Sequence, residues 1–550
     1  MYKFPCGCSV PVVDDKINPD TGLPTLQIPY DKIIEDLNYG TICPETMRIF
    51  QNGTTKGVFQ LEKNLGKHWA KQVKPKTVDD VAALISIIRP GSLNAELDGK
   101  NMSQHYVDRK HNKESTEYIH QALEPYLKDT YGVIVYQEQA IKIASGIAGF
   151  SLQEADNLRK AVGKKDAKLM NEIETQFVEG CQRVGTVSAE QAKIIFGWIR
   201  AGSRYSFNKS HAVGYAITAY LCAWVKHHMP LHFYRAWIGM AHEKQFHKEE
   251  MMELFYDAKE FGVEILTPSI LKTKDNWAMF DNKSIRLGLL NISGVGESHL
   301  KNIKQKISDA ETTLSKNLQD FNWLEYMFFV LGGLSETVSS GLVSVGSIPL
   351  PISRKQQLYE LNMFNQLNDR EKGWLTDRFG QYNSLIEAIE LGLSSTGKNR
   401  CFFNEGRKKN AESILIALKN PPTKTEDDVQ WIINKERAMF GVSVSYGLNN
   451  TSSKYLANTT CEEIRDGKQS NNMYLVVEIV KKRELTVKNG ANKGEKMGYI
   501  TVADETGSLE DVVVFPDLYN KHICELYEGS MIVLKCYIKQ SIIASNINAI

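Results

Sequence analysis

The spacing of apolar residues changes character along the chain. From about Ile34 to about Ala241 it is helical: "VDDVAALISIIRP" ends at a proline, and "AEQAKIIFGWIR" sets Ile194, Ile195 and Trp198 on one face. "RYSFNKSHAVGYAITAYLCAWVKHHMP" (204–230) repeats Val213, Ile217, Leu221 and Trp224 at helical spacing and stops at Pro230. A large helical domain is predicted. From about Glu243 to Asn282 helix and turn alternate, and "RLGLLNISGVGESHLKNI" predicts a short strand, a Gly-x-Gly turn and a new helix. "GGLSETVSSGLVSVGSIPLP" (332–351), rich in Gly, Ser and Pro, predicts a loop or surface excursion rather than packed core. After Asn449, "NNTSSKYLANTT" predicts a linker. From Asn472 the period falls to two in "MYLVVEIV", "MGYITVAD", "LEDVVVF" and "SMIVLKCYI", with "SIIASNINAI" closing a small barrel. Its size and the basic loop between early strands favour an OB-fold.

The fold class is therefore multidomain, mainly α with a C-terminal small β-barrel, and a length of 550 residues supports three or four domains. Charge adds little, because 66 Lys plus Arg stand against 65 Asp plus Glu, so any nucleic-acid affinity must be local. The nine cysteines are scattered, with Cys6 and Cys8 the close pair and no CxxC. This argues against a disulfide framework or a zinc ribbon, and no metal-ligating set is identified. "MYKFPCGCSVPVVDDKINPD" lacks the apolar core of a signal peptide, and no window approaches a membrane span. A soluble, cytoplasmic protein with no membrane partner is expected.

Candidate chemistry starts where the helix after Phe207 begins. Asn208, Lys209, Ser210 and His211 surround a helix N-terminus, whose unpaired N–H groups and partial positive charge suit a phosphate or triphosphate. The plainer alternative is that Asn208 or Ser210 caps the helix while Lys209 and His211 are solvated. A second basic segment, "SLQEADNLRKAVGKKDAKLM", opens with Ser151 and Glu154 as a capping box and carries Arg159, Lys160, Lys164 and Lys165. Two such segments could clamp one polyanion, although a charge run is commonly a solvated face.

The words "GVFQLE" (57–62), "IIRPGSL" (87–93), "DTYGVIVYQEQ" (129–139), "ADNLRKAVGKKD" (155–166) and "YSFNKSHAVGYA" (205–216) resemble, in order, the fingers motifs of bacterial DNA polymerase III alpha subunits, the C-family replicative polymerases. "GLLNISGVGE" is similar to that family's helix-hairpin-helix entry, and 472–550 to its OB domain. The resemblance implies an N-terminal segment near the palm-fingers junction (1–56), fingers (57–282), a duplex-binding helix-hairpin-helix region (283–449), a linker (450–471) and the OB-fold (472–550). It implies that Arg159 and Lys160, with Lys164, approach the phosphates of an incoming dNTP. Asn208, Lys209, Ser210 and His211 would lie beside its sugar and triphosphate, with His211 helping to exclude a ribose 2′-hydroxyl. Arg89 is either structural or faces the template.

The family holds two magnesium ions on palm carboxylates, and that pattern is absent from these 550 residues. Asp14, Asp15, Asp20, Asp31, Glu35 and Asp36 show no spacing that pairs two carboxylates on one side of a strand. The catalytic carboxylates are thus expected in a partner palm chain that holds Mg2+, making a split polymerase of the phage type, inactive alone, in a bacterial or phage-infected cell. "KERAMFGVSVS" resembles the connector before the OB domain; a sliding clamp remains a candidate partner.

For primer-template DNA, Gly294 and Gly296 offer turn amides to backbone phosphates. In the barrel, Lys481, Lys482, Arg483, Lys488, Lys493 and Lys496 lie near Tyr474 and Tyr499, a combination suited to single strands, or simply a soluble loop beside core tyrosines. The rival functions are a non-catalytic DNA- or nucleotide-binding accessory derived from a polymerase, and a self-sufficient polymerase with unfamiliar carboxylates.

Overall fold

Side chains that accept orphan backbone N–H groups set the helix starts. Thr77 and Asp80 form a reciprocal capping box, Asp80 N–H to Thr77 Oγ1 at 3.1 Å and Thr77 N–H to the Asp80 carboxylate at 3.2 Å. Ser151 and Glu154 do the same: Ser151 N–H donates to Glu154 at 2.8 Å, and Glu154 N–H to Ser151 Oγ at 3.3 Å. The computed structural model describes all residues except 1, 5, 7, 11, 18–23, 27, 39, 98, 165–166, 204–205, 246, 273–278, 281–283, 422–423, 447–455, 466, 468–469, 471, 488–491, 505, 540 and 550. The chain divides into two compact units, Met1–Lys16 with Pro24–Met229, and Ile17–Leu23 with Pro230–Ile550. That division falls inside the span 57–282 expected as fingers.

The first unit carries a short hairpin, β1 (Tyr2–Lys3) and β2 (Ser9–Val10), and then helices α1 (Pro44–Asn52), α2 (Val78–Ile87), α3 (Gln137–Ala148), α4 (Leu152–Lys164), α5 (Ala167–Val184), α6 (Ala189–Ser203) and α7 (Lys209–His228). Helix α3 ends at Gly149, whose φ of 68° needs a residue without Cβ strain, and α4 begins at Leu152. So short a connection keeps α3 and α4 in contact. Helices α3 to α6 share one core, built from Ile143, Ile147, Leu158, Phe177, Ile195, Phe196 and Ile199 among others. On α6 the buried stripe is Ala192, Ile195, Phe196 and Ile199, and Ile194 is 55% exposed. Of the face expected from Ile194, Ile195 and Trp198, Ile195 and Trp198 meet the core and Ile194 does not, because adjacent residues on a helix point about 100° apart. On α7 the buried face is Ala212, Ala216, Ala219, Tyr220 and Ala223, while Val213, Ile217 and Leu221 are only half-buried. Small residues let α7 approach α2 closely, so volume rather than hydrophobicity chose the inner face.

The second unit includes α8 (His247–Glu260), α9 (Glu297–Leu314), α10 (Glu336–Ser344), α11 (Arg354–Asn365) and α12 (Val429–Phe440). Helix α10 lies in the stretch 332–351 expected as a loop or excursion. Its Val338, Leu342 and Val343 are buried, as are Val345 and Ile348 just beyond, and it packs on α11 and α12. Composition misled there because Gly and Ser serve as small packing residues as readily as loop residues. The connector "KERAMFGVSVS", whose first six residues are the end of α12, is fixed by fully buried Glu436, which accepts from Arg354 at 2.7 Å, Val444 N–H at 2.7 Å and Ser445 N–H at 2.8 Å.

The chain then passes through α13 (Cys461–Arg465) into the barrel β3 (Met473–Thr486), β4 (Lys496–Asp504), β5 (Gly507–Val514), β6 (Met531–Ile538) and β7 (Ile542–Ala549), with α14 (Pro516–Lys521) between β5 and β6. The barrel closes in the order β3-β4-β5-β7-β6, with β5 and β7 parallel and the other pairs antiparallel. Alternate residues such as Leu475, Val477 and Ile479 point inward, as the period-two pattern requires. Cys461 and Ile464 of α13, inside the stretch 450–471 expected as linker, also belong to this core. A small OB-like barrel beside a mainly helical remainder is thus the observed fold class. No helix among the described residues is long and apolar enough to cross a membrane.

Candidate nucleotide and nucleic-acid sites

The start of α7 is built by pairing two helix entrances. Phe207 and Tyr136 form a parallel bridge, with Gln137 N–H to Phe207 O and Phe207 N–H to Val135 O both at 2.9 Å, so α3 and α7 begin side by side. Gln139 locks the first entrance by accepting from Val135 N–H and Tyr136 N–H at 2.9 Å. Asn208 caps the second: its side chain accepts from His211 N–H at 2.8 Å and from Ser210 Oγ at 3.1 Å. Glu138 then crosses over, accepting from Lys209 N–H at 2.9 Å and from Asn208 Nδ2 at 3.0 Å. A carboxylate thus already lies on the helix start where an anion was expected.

Around this point the separate sequence words meet. The Arg89 guanidinium lies 3.9 Å from the centre of the Phe207 ring. Phe207 and His211 rings are 5.3 Å apart, His211 and Tyr215 3.9 Å, and Tyr215 and Phe59 5.0 Å. Arg89, Phe207, His211, Tyr215 and Phe59 therefore form a continuous chain of cation–π, edge-on and tilted ring contacts joining "IIRPGSL", "YSFNKSH" and "GVFQLE". His211 is exposed and Phe59 is 38% exposed. Lys209 Nζ sits 5.5 Å from the Tyr136 ring. Burial, with Asp79 and Asp80 close by, holds the Tyr136 hydroxyl far above the usual phenol range, so that ring stays neutral.

Lys226, completely buried on α7, donates to the carbonyls of Thr54 at 2.8 Å and Lys56 at 3.0 Å and so fixes the loop before "GVFQLE". Sequence reasoning missed Glu138, Phe207, Tyr215, Phe59 and Lys226. The last carried a signal, a lysine at an interior position of an apolar helix.

Lys160 is exposed and paired with Asp156 at 2.8 Å. The side chains of Arg159 and Lys164, with the whole of Lys165 and Arg204, lie outside the described residues.

In the second unit, Gly294 turns with φ 87° and Gly296 caps α9. Before them stands a single 3₁₀ turn, Leu289–Asn291. Ser293 N–H bonds Met439 O at 3.1 Å, anchoring the turn to α12. On the barrel, Lys481 and Lys493 are exposed, while Lys488 lies outside the described residues. Arg483 stacks over Tyr499 at 5.0 Å and lies 3.4 Å from Asp511. Lys482 faces Tyr519 at 5.6 Å, and Lys496 pairs with Glu484 at 2.7 Å. Hydrogen bonds from Lys496 and Tyr519 hold the Glu484 carboxyl below its usual range. Tyr474 is not beside this loop: it stands at the far end of β3, about 23 Å from Lys481 along the strand, with Lys535 Nζ 5.2 Å from its ring.

Residues 34–185 match the family described as the bacterial DNA polymerase III alpha subunit finger domain. The chain is 31% identical to the DNA polymerase III subunit alpha of Aquifex aeolicus over 92% of its own length, 28% identical to that of Bacillus subtilis over 90%, and 28% identical to that of Thermus aquaticus over 86%. The chain is related to bacterial DNA polymerase III alpha subunits. It spans about two-fifths of these relatives, 38%, 40% and 36% of their lengths respectively. The alpha subunit finger match contains Arg89, Glu138, Arg159 and Lys160, and the Asn208–His211 helix start follows it in sequence.

Proposed function

We propose that this chain is a replicative DNA polymerase component that receives an incoming dNTP at the start of α7 and handles primer-template DNA with its second unit. The observation that carries this reading is the convergence of Arg89, Phe207, Lys209, His211, Tyr215 and Phe59 around one helix entrance. A run of aromatic rings in edge-on and tilted contact, with a guanidinium at one end and the Lys209 ammonium close by, suits a nucleotide, whose base and sugar need apolar surfaces and whose phosphates need cations. In this reading Lys209, with Arg159, Lys160 and Lys164 from α4, neutralises the triphosphate. His211 presents its ring to the sugar and disfavours a 2′-hydroxyl. Gly294 and Gly296 hold duplex backbone, and Lys481, Arg483 and Lys493 beside Tyr499 hold single-stranded template.

Two-metal catalysis needs converging carboxylate oxygens. At the helix entrance the carboxylate is Glu138, and both its oxygens already accept hydrogen bonds from the chain. Among the described residues no cluster of acidic ligands gathers there. The residues present do not fit a Mg2+ pair, and in the proposal the metal-holding carboxylates come from a palm-bearing polypeptide outside these 550 residues, in the cytoplasm of a bacterial or phage-infected cell.

Glu138 favours a second reading, an accessory that binds DNA without nucleotide. Nucleotide titration of the chain separates the two. In the polymerase reading dNTP binds and Glu138→Gln binds it tighter, because a competing anion has left the helix start. Absence of dNTP binding by both proteins, with DNA binding intact, would establish the accessory reading.

A further inference from the structure

The N-terminal hairpin is too short to be stable by itself, since β1 and β2 are two residues each and pair only Tyr2 with Val10 and Lys3 with Ser9. It is nevertheless folded tightly, with Phe4 N–H bonding Cys8 O at 2.8 Å, and its turn directs Cys6 and Cys8 toward two distant parts of the first unit. One is Cys43, buried at the residue preceding α1. The other is His228, buried in the last turn of α7. Four ligand atoms, the three Sγ and one imidazole nitrogen, all lie within 4.8 Å of one another. Cys6 Sγ is 3.1 Å and Cys43 Sγ 3.7 Å from His228 Nε2.

We infer that Cys6, Cys8, Cys43 and His228 form a structural zinc site. Zinc–sulfur bonds of about 2.3 Å and a zinc–nitrogen bond of about 2.0 Å separate tetrahedral ligands by roughly 3.5–3.8 Å. The observed cluster needs to move by only a fraction of an ångström to enclose such an ion. Chemistry selects the metal: three thiolates and one imidazole in a closed, four-ligand set favour Zn2+ over Mg2+ or Ca2+, which take oxygen.

The surroundings fit the assignment. His228 Nδ1 lies 2.9 Å from the Trp224 carbonyl oxygen, a bond that fixes the proton on Nδ1 and turns the lone pair of Nε2 toward the sulfurs. Trp224 stacks on the imidazole at 4.2 Å and Phe4 meets it edge-on at 4.8 Å, giving the site an apolar wall. The ligands come from the hairpin, the entrance of α1 and the end of α7, so the ion would tie together pieces as far apart in sequence as Cys6 and His228. It would also anchor the C-terminal end of the helix whose other end carries Asn208 to His211.

The test is metal analysis of the full chain purified without chelator, followed by replacement with Co2+. The expected result is about one zinc per chain, and a cobalt form with strong d–d absorption and sulfur-to-cobalt charge transfer. Both should be lost in Cys6→Ser/Cys8→Ser and retained in Cys222→Ser, a cysteine outside the cluster. The double variant leaves α1 and α7 intact, so loss of metal with an unchanged helical spectrum would report ligation rather than unfolding. Zinc at trace level in wild-type protein even after growth with added zinc, or cobalt bands that persist in the double variant, would overturn the assignment.

Discussion

At the scale of single residues, the start of α7 is a competition between anions. Glu138 occupies Lys209 N–H and Asn208 Nδ2, so a triphosphate must either displace it or lie on the Lys209 and His211 side chains. Lys209→Ala should then weaken dNTP binding roughly tenfold, the worth of one charge-assisted contact of about 1.5 kcal/mol, with DNA affinity unchanged in a parallel titration. Equal loss of both would make Lys209 a DNA contact. Lys226 tests the support below the site: Lys226→Met removes the donor shared by the Thr54 and Lys56 carbonyls and should cost about 3 kcal/mol in thermal or denaturant unfolding. Different in chemistry is Glu114, which accepts from Arg109 at 2.7 Å and His105 at 2.8 Å. Burial pushes the Glu114 carboxyl up, but these partners outweigh it and leave it below the usual range. A depressed carboxylate contributes stability fully above its unfolded pKa of about 4.3, and that stability is lost as pH falls through the lower folded value. Melting temperature measured from pH 6 downward should therefore fall less steeply in Glu114→Gln than in wild type.

At the scale of elements, what could be read from the sequence was what periodicity encodes. The barrel strands followed from alternation, since Leu475, Val477 and Ile479 face inward two apart, and the Ser151–Glu154 box announced α4. Faces chosen by volume were not legible: α7 buries alanines and leaves Val213 and Ile217 half out, and α10 emerged from a Gly- and Ser-rich stretch. The convergence of Arg89, Phe207, His211 and Phe59 was invisible for another reason, because contacts across more than a hundred residues have no local signal. Cys6, Cys8, Cys43 and His228 escaped by the same route, as no pair among them has zinc-finger spacing. The barrel carries its own prediction. Lys481, Arg483 and Lys493 replaced together by Gln should lower single-strand affinity and reduce the slope of log K against log salt by about 2, three contacts at roughly 0.7 each. An unchanged slope would remove this face from the path of the strand.

At the scale of the whole molecule, the described residues offer a chain of aromatic rings at a helix entrance, a glycine turn before α9 and an OB-like barrel, and no gathered set of carboxylates. In the proposed reading these are the parts of a polymerase that bind and align, and the metal-holding part is supplied from outside them. The central claim is that the chain works as such a component. Primer extension with dNTPs and magnesium tests it most directly, run with the purified chain alone and after addition of a palm-bearing alpha-subunit fragment that is inactive by itself. Extension only in the mixture, and loss of that extension with Lys209→Ala, is the predicted result. Extension by the chain alone, or none in the mixture while DNA binding persists, would contradict it.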